Sequence, residues 1–218
     1  MTISLSEAGK RFNRDWIYRH FTYQFKAGNT YAITGPNGSG KSTILQALSG
    51  SMLINEGSIE WSINGKLLDP EAVYSHVSIC APYLELIEEM TLLEFFDFHQ
   101  GFKPFLPGLK ATEIIARIGL EKAVNKQIRN YSSGMKQRVK LAQCILSDTS
   151  IVLLDEPCTN LDTAGISLYL SLIADYGINI LADAGVAVTS FTVGNLNDCR
   201  WDNISIPFSF RYYGNPYS

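Results

Sequence analysis

The sequence is short of several things, and each shortage removes a class of function. Its cysteines, Cys80, Cys144, Cys158 and Cys199, stand far apart with no CxxC pair. That spacing argues against both a zinc site and a disulfide framework, and it fits a reducing compartment. No run reaches the roughly 20 uninterrupted apolar residues of a spanning helix. The nearest, residues 178–193, is broken by Asp183. The first residues (MTISLSEAGKRF) contain no apolar core of the kind that marks a secretory signal. Any membrane role therefore has to be borrowed from a partner. The formal net charge is only −3, and composition gives no hint of the basic face a nucleic-acid binder usually carries. Internal repeats and low-complexity segments are missing. Charge itself thins out late in the chain: every lysine and every glutamate lies before Leu161. From Thr163 onward only Asp175, Asp183, Asp198, Arg200, Asp202 and Arg211 are charged.

What remains is a chain of 218 residues, long enough for one sizeable domain with a real core. Residues 2–5 and 21–25 read as short strands around a polar, turn-rich connection. Residues 30–33 form a compact apolar run that ends at a glycine-rich loop. Lys41 to Leu48 has helical periodicity and closes at Gly50, a suitable residue just past a helix C-terminus. Residues 57–63 alternate as an antiparallel strand does, and 77–81 read as a buried strand. Residues 91–129 turn helical, with Leu92, Leu93, Phe95, Phe96 and Phe98 followed by Ile114, Ile115 and Ile118. The segment 102–108 (FKPFLPG) breaks that region in two. Residues 151–154 (IVLL) are wholly apolar, as in a parallel strand covered on both faces. These elements predict an α/β fold with a mostly parallel core sheet, an antiparallel β region near the N-terminus and a helical subdomain at about 84–149. The whole of 1–218 reads as one domain, with an atypical tail at about 176–218.

Two stretches carry chemistry. Gly35-Pro36-Asn37-Gly38-Ser39-Gly40-Lys41-Ser42-Thr43 matches the phosphate-binding pattern G-x-x-x-x-G-K-[ST] in full. The glycines let backbone N–H groups approach phosphates closely, and the following helix adds the positive end of its dipole. In that pattern Lys41 reaches the β- and γ-phosphates and the Ser42 hydroxyl ligates Mg2+. The second stretch is Asp155-Glu156 at the carboxyl end of the apolar strand, the sheet edge where ligands collect in open α/β folds. Asp155 there can hold the magnesium, and Glu156 can orient or deprotonate an attacking water.

Between the two lies Tyr131-Ser132-Ser133-Gly134-Met135-Lys136-Gln137-Arg138. This resembles the signature of the ABC-type ATPases, usually written LSGGQ and followed by a basic stretch. It keeps Ser132 and Gly134 and departs at Tyr131, Ser133 and Met135. Thr159-Asn160-Leu161-Asp162 resembles the family's D-loop, and all the motifs stand in the family's order. The resemblance covers about residues 2–190. It implies an ATP-binding and ATP-hydrolysing subunit of an ABC transporter, using ATP and Mg2+ and coupled to separate transmembrane permease subunits. It also implies a second ATPase subunit, identical or related, with two copies sandwiching two ATP molecules head to tail. Ser132, Ser133 and Gly134 would then meet the γ-phosphate of nucleotide bound on the partner copy, and Asp162 would lie at the same interface. Phe12 resembles the aromatic residue that stacks on adenine, with Trp16 a competitor for that role. The resemblance also implies a cytoplasmic protein, peripheral on the inner face of the cell membrane.

The family pattern fails at two places. A glutamine normally follows the strand here read at 77–81, and this chain has Ala81-Pro82-Tyr83. Tyr83 cannot take the metal contact of that glutamine. The family's switch histidine follows a strand that resembles residues 186–190, which puts Phe191 in its place. Phenylalanine cannot hydrogen-bond a γ-phosphate or its attacking water. Slow hydrolysis or another residue in that role would account for this, and a frame change in the coding sequence is a further reading of the tail. Two alternatives follow: an ABC ATPase acting away from transport, such as an assembly factor, and a weakly active regulatory subunit. Repair-type relatives are disfavoured, because no sustained heptads lie between Lys41 and Ser132.

Overall fold

The computed structural model describes residues 1–26, 29–176 and 180–183. They fall into two compact units, residues 1–74 with 181–183, and residues 75–180.

The first unit is built on an antiparallel sheet. Strands β1 (Thr2–Phe12) and β2 (Asp15–Lys26) form a long hairpin, and β4 (Glu56–Ile63) and β5 (Lys66–Leu67) extend it in the order β2-β1-β4-β5. The expected polar connection between residues 5 and 21 is instead paired strand almost to its tip. Sequence polarity misleads here because one face of the hairpin is open to water. Its polar side chains pair across the strands: Glu7 accepts from Thr22 Oγ1 at 3.1 Å and meets His20 Nδ1 at 2.8 Å. Register shifts between Leu5 and Ala8, and again between Ala8 and Arg11, break the alternation that would have marked a strand. Strand β3 (Tyr31–Ala32) pairs in parallel with β8 (Ile180–Asp183), Tyr31 opposite Leu181 and Ala32 opposite Ala182. The apolar run containing Asp183 thus forms, over residues 180–183, a short parallel strand.

Helix α1 (Lys41–Leu48) runs over the expected residues and buries Ile44, Leu45, Ala47 and Leu48. It ends where Gly50 turns left-handed at φ 75. Gly50 N donates to Ala47 O at 3.1 Å and Ser51 N to Gln46 O at 3.1 Å, so these two carbonyls of the last turn find partners beyond the helix. Trp61 Nε1 on β4 donates to Leu48 O at 2.9 Å, which fixes the helix end to the antiparallel sheet.

In the second unit β6 (Val77–Cys80) pairs in parallel with β7 (Ile151–Asp155), Val77 opposite Ile151 through Cys80 opposite Leu154. Every residue of β7 is buried, as the unbroken apolar run predicts. The helical stretch resolves into α2 (Leu92–Gln100) and α3 (Ala111–Arg117), separated by the Pro/Gly break. Thr91 opens α2 with a capping box: its hydroxyl accepts from Glu94 N at 3.4 Å, and the Glu94 carboxylate accepts from Thr91 N at 2.8 Å. Phe96 and Phe105 pack edge to face at 5.4 Å, with Ile114, Ile118 and Ile128 also fully buried. Each such side chain contributes about 1.5–3 kcal/mol on burial. Helices α4 (Ser133–Ile145) and α5 (Thr163–Tyr176) complete the unit. α5 lies in the charge-poor stretch, where no polar face advertises it. Among the described residues no helix is long and apolar enough to cross a membrane.

Candidate active site

The glycine-rich loop joins β3 to α1 in the first unit. Residues 34–38 are exposed, and a turn from Ser39 N to Pro36 O at 3.1 Å shapes the loop. Gly40 has φ 93, and a Cβ there would stand 2.3 Å from Ile17 Cγ2. Glycine is therefore required twice over, by backbone conformation and by the approach of β2. Lys41 folds back over the loop, its Nζ donating to Gly35 O at 3.2 Å and Pro36 O at 3.3 Å. The ammonium thus sits at the loop mouth, held by carbonyls that a phosphate can displace. Ser42 and Thr43 follow in the first turn of α1, half-buried. Pro36, Asn37 and Gly38 make up the exposed arc before it, and Ser39 is half-buried.

The two aromatic candidates lie in the same unit and differ sharply. Trp16 is enclosed by cations, Arg19 at 4.5 Å and Arg11 at 5.5 Å from its ring. A Cβ on Gly9 would come within 3.0 Å of its ring edge. Phe12, at the end of β1, is 46% exposed, with Lys10 Nζ 5.1 Å over one face. Lys10 is itself anchored to Leu53 O at 2.7 Å. Phe12 keeps a face available for stacking, and Trp16 is taken up in packing.

The remaining candidates are gathered in the second unit. Asp155 closes β7 and is 1% exposed, and its Oδ1 has no hydrogen-bond partner among the described residues. A buried carboxylate oxygen left bare costs several kcal/mol, so a cation or its bound waters would complete this site. That chemistry fits Mg2+, which prefers carboxylate and water oxygens. Glu156, the next residue, is exposed and left-handed at φ 46. Its Oε2 accepts from Thr159 Oγ1 at 3.2 Å, and its carbonyl accepts from Thr159 N at 3.1 Å. The acid pair is split by environment: one member is buried at the strand end, the other projects from a strained turn.

Ser132 caps α4, accepting from Met135 N at 3.2 Å. This leaves the exposed Ser133 and the adjacent Gly134 in the first turn, where backbone N–H groups have no carbonyl to meet within the helix. Such a terminus can receive an anion. Asp162 opens α5, its Oδ1 accepting from Gly165 N at 2.8 Å and from Arg138 Nη2 at 3.2 Å. Those two bonds, the backbone one foremost, hold its carboxyl below the usual range. Tyr83 is 44% exposed in a turn where Leu84 N meets Ala81 O. Lys140 on α4 donates to Pro82 O at 3.2 Å. Residues 186–190 and Phe191 lie outside the described residues. The buried thiols offer no nucleophile: burial pushes Cys80 up to about 12 and Cys144 well above its ordinary value.

A family model described as "ABC transporter" matches residues 18–159, a span that runs from β2 through the glycine loop and α4 to the turn after Glu156. The chain belongs to the ABC transporter family. Relatives agree. It is 33% identical over 165 residues to the ABC transporter ATP-binding protein YybJ of Bacillus subtilis, covering 72% of each chain. It is 32% identical to the cytochrome c biogenesis ATP-binding export protein CcmA of Cupriavidus pinatubonensis, covering 79% of this chain and 75% of the relative. Against another B. subtilis relative, YhcH, it is 28% identical and spans about half of that protein's length, 54%. Among solved structures, an ATP-binding subunit of an ABC transporter superposes with a TM-score of 0.71 at 25% identity, covering 84% of this chain and 79% of that one. The α/β P-loop fold of ABC type follows, as does the standing of this chain as an ABC-type ATP-binding subunit.

What sequence reasoning missed is the support behind the site. Lys10 behind Phe12 and Gln137 beneath the Glu156 turn each sit in a short polar run that looks like solvated surface. Period-2 reading puts Lys10 and Phe12 on one face of a strand, and that was the one available signal.

Proposed function

We propose that this chain binds and hydrolyses ATP with Mg2+ and that it energises transport through separate membrane subunits, acting as a head-to-tail dimer on the inner face of the cell membrane. The observation that carries the reading is the contrast within Asp155-Glu156. A buried carboxylate with a bare oxygen suits metal binding, and an exposed carboxylate on a left-handed turn suits work on water.

Ser42 and Asp155 would hold the magnesium, directly or through water. When bound, the ion neutralises charge on the β- and γ-phosphate oxygens. Gly35 through Thr43 cradle the phosphates, Lys41 neutralises them, and Phe12 stacks on the base. Glu156 orients a water against the γ-phosphorus. The new P–O bond forms as the bond to the β–γ bridging oxygen breaks. ADP leaves with that electron pair, and the water's proton passes to the Glu156 carboxylate. Ser132, Ser133, Gly134 and Asp162 of one copy face nucleotide held by the other, so ATP closes the dimer and hydrolysis releases it.

The test is affinity capture of the tagged chain from detergent-solubilised native membranes, with and without ATP, beside a Mg-ATP turnover assay. Stoichiometric recovery of a polytopic membrane protein together with turnover is the expected result. Recovery of soluble partners alone sinks the transport half of the reading. A second reading, a weakly active regulatory subunit, is favoured by Tyr83, which stands where the family has its metal-contacting glutamine. Turnover absent alongside tight ATP binding would select it.

A further inference from the structure

Helix α4 contains a buried amide that the phosphate chemistry leaves without a role. Gln137 is 5% exposed, among the buried Val139, Leu141 and Ala142 of the same helix. A primary amide is costly to bury unless its groups are bonded. Its Nε2 donates to Pro157 O at 2.8 Å and lies 3.8 Å from Cys80 Sγ at the end of β6. Pro157 is buried and immediately follows Glu156. A non-glycine residue at φ 46 costs of order 1–3 kcal/mol and persists only where its surroundings hold it. Pro157 has no N–H to offer, so its carbonyl is the one backbone hydrogen-bonding group by which neighbouring structure can grip that residue. The same helix also lies close against the residues that follow this turn. A Cβ on Gly134 would lie 3.1 Å from Asn160 O, and Arg138 Nη2 donates to Asp162 Oδ1 at 3.2 Å.

We infer that Gln137 is a positioning residue for Glu156: its bond to the Pro157 carbonyl holds the left-handed turn from which the Glu156 carboxylate projects. The inference rests on the reading of Glu156 as the group that works on the attacking water. Gln137 is itself buried and bonded to the Pro157 carbonyl. It acts by fixing the backbone, and it lies one helical turn from the α4 terminus formed by Ser132, Ser133 and Gly134. Engagement of that terminus and the setting of Glu156 therefore share one rigid element.

Gln137→Met keeps the length and buried volume of the side chain and removes its donor. ATP affinity and steady-state kcat and KM are measured for this variant, for Glu156→Gln and for the unaltered chain. The expected result is a kcat lowered tenfold or more with ATP affinity within twofold of the unaltered value, because a misplaced reacting group can cost on the order of 100-fold in rate. If kcat stays within twofold while Glu156→Gln abolishes turnover, the Glu156 reading stands and the role of Gln137 is overturned. If Glu156→Gln turns over as fast as the unaltered chain, or the unaltered chain shows no turnover, the Glu156 reading fails and takes the inference with it. If Gln137→Met loses ATP binding and thermal stability together, Gln137→Glu, of the same shape, is put through the same measurements. Loss of binding in both makes Gln137 a structural residue and overturns the inference.

Discussion

Lys41 and Phe12 hold opposite ends of the proposed nucleotide, and one pair of ligands separates their parts. The Lys41 ammonium rests on two loop carbonyls, so Lys41→Ala should abolish binding of both ATP and inorganic tripolyphosphate in a calorimetric titration. Phe12 offers only a ring face. Stacking on a base contributes about 1–3 kcal/mol, so Phe12→Ala should weaken ATP about tenfold and leave tripolyphosphate unchanged. Equal loss of both ligands would make Phe12 a packing residue instead. Trp16, taken up by Arg11, Arg19 and Gly9, should discriminate between the two ligands much less. The sequence made Lys41 and the loop glycines legible because phosphate chemistry fixes both residue type and spacing. It left Phe12 and Trp16 open because either ring can stack, and only packing tells them apart. Gln137 was illegible: its burial comes from the 156–159 turn, which is distant in sequence and near in space.

Among the elements, α1 and β7 were readable to within a residue, since a helix cap and an all-apolar run are local signals. β1 and β2 were not, because bulges interrupt their alternation and their open face carries cross-strand polar pairs. α5 was missed for want of a charged face. α2 shows what a single buried group can do to an element. His99 on α2 bonds Ser147 Oγ at 2.8 Å and meets Gln143 at 3.2 Å, joining α2 to the end of α4 and the residues after it. Burial, helped by the charge of Lys103, pulls its pKa down to about 4. The unfolded chain takes up that proton near pH 6.5 and the folded chain resists it. The contribution is therefore fully present above about 6.5 and is lost as pH falls from there towards 4. Chemical denaturation at pH 7 and pH 5 should show a loss of stability on acidification that is smaller in His99→Gln. An equal loss in both would assign the acid sensitivity to other groups.

At the scale of the whole molecule, the proposed dimer follows from where donors are left over. The first turn of α4 presents backbone N–H groups of Ser133 and Gly134 beyond the bond that Ser132 makes to Met135, and a γ-phosphate on a second copy can meet them. Closure by ATP should then persist wherever cleavage is blocked. Glu156→Gln keeps the size of the side chain and, through its amide oxygen, an acceptor for Thr159, while removing the carboxylate that takes the proton. With Mg-ATP it should double in mass by light scattering, and with ADP it should stay a monomer. Adding Ser133→Glu to that variant puts a carboxylate at the helix terminus, where it competes with phosphate for the same N–H groups. The doubly altered chain should therefore remain monomeric with ATP while its affinity for nucleotide at Lys41 is kept. A Glu156→Gln chain that stays monomeric at saturating ATP would mean that the α4 terminus does not receive phosphate from a second copy. Dimers indifferent to Ser133→Glu would mean that ATP joins the copies through some other surface. Only the combination of an ATP-dependent dimer and its loss on Ser133→Glu is the pattern expected of two nucleotides shared head to tail.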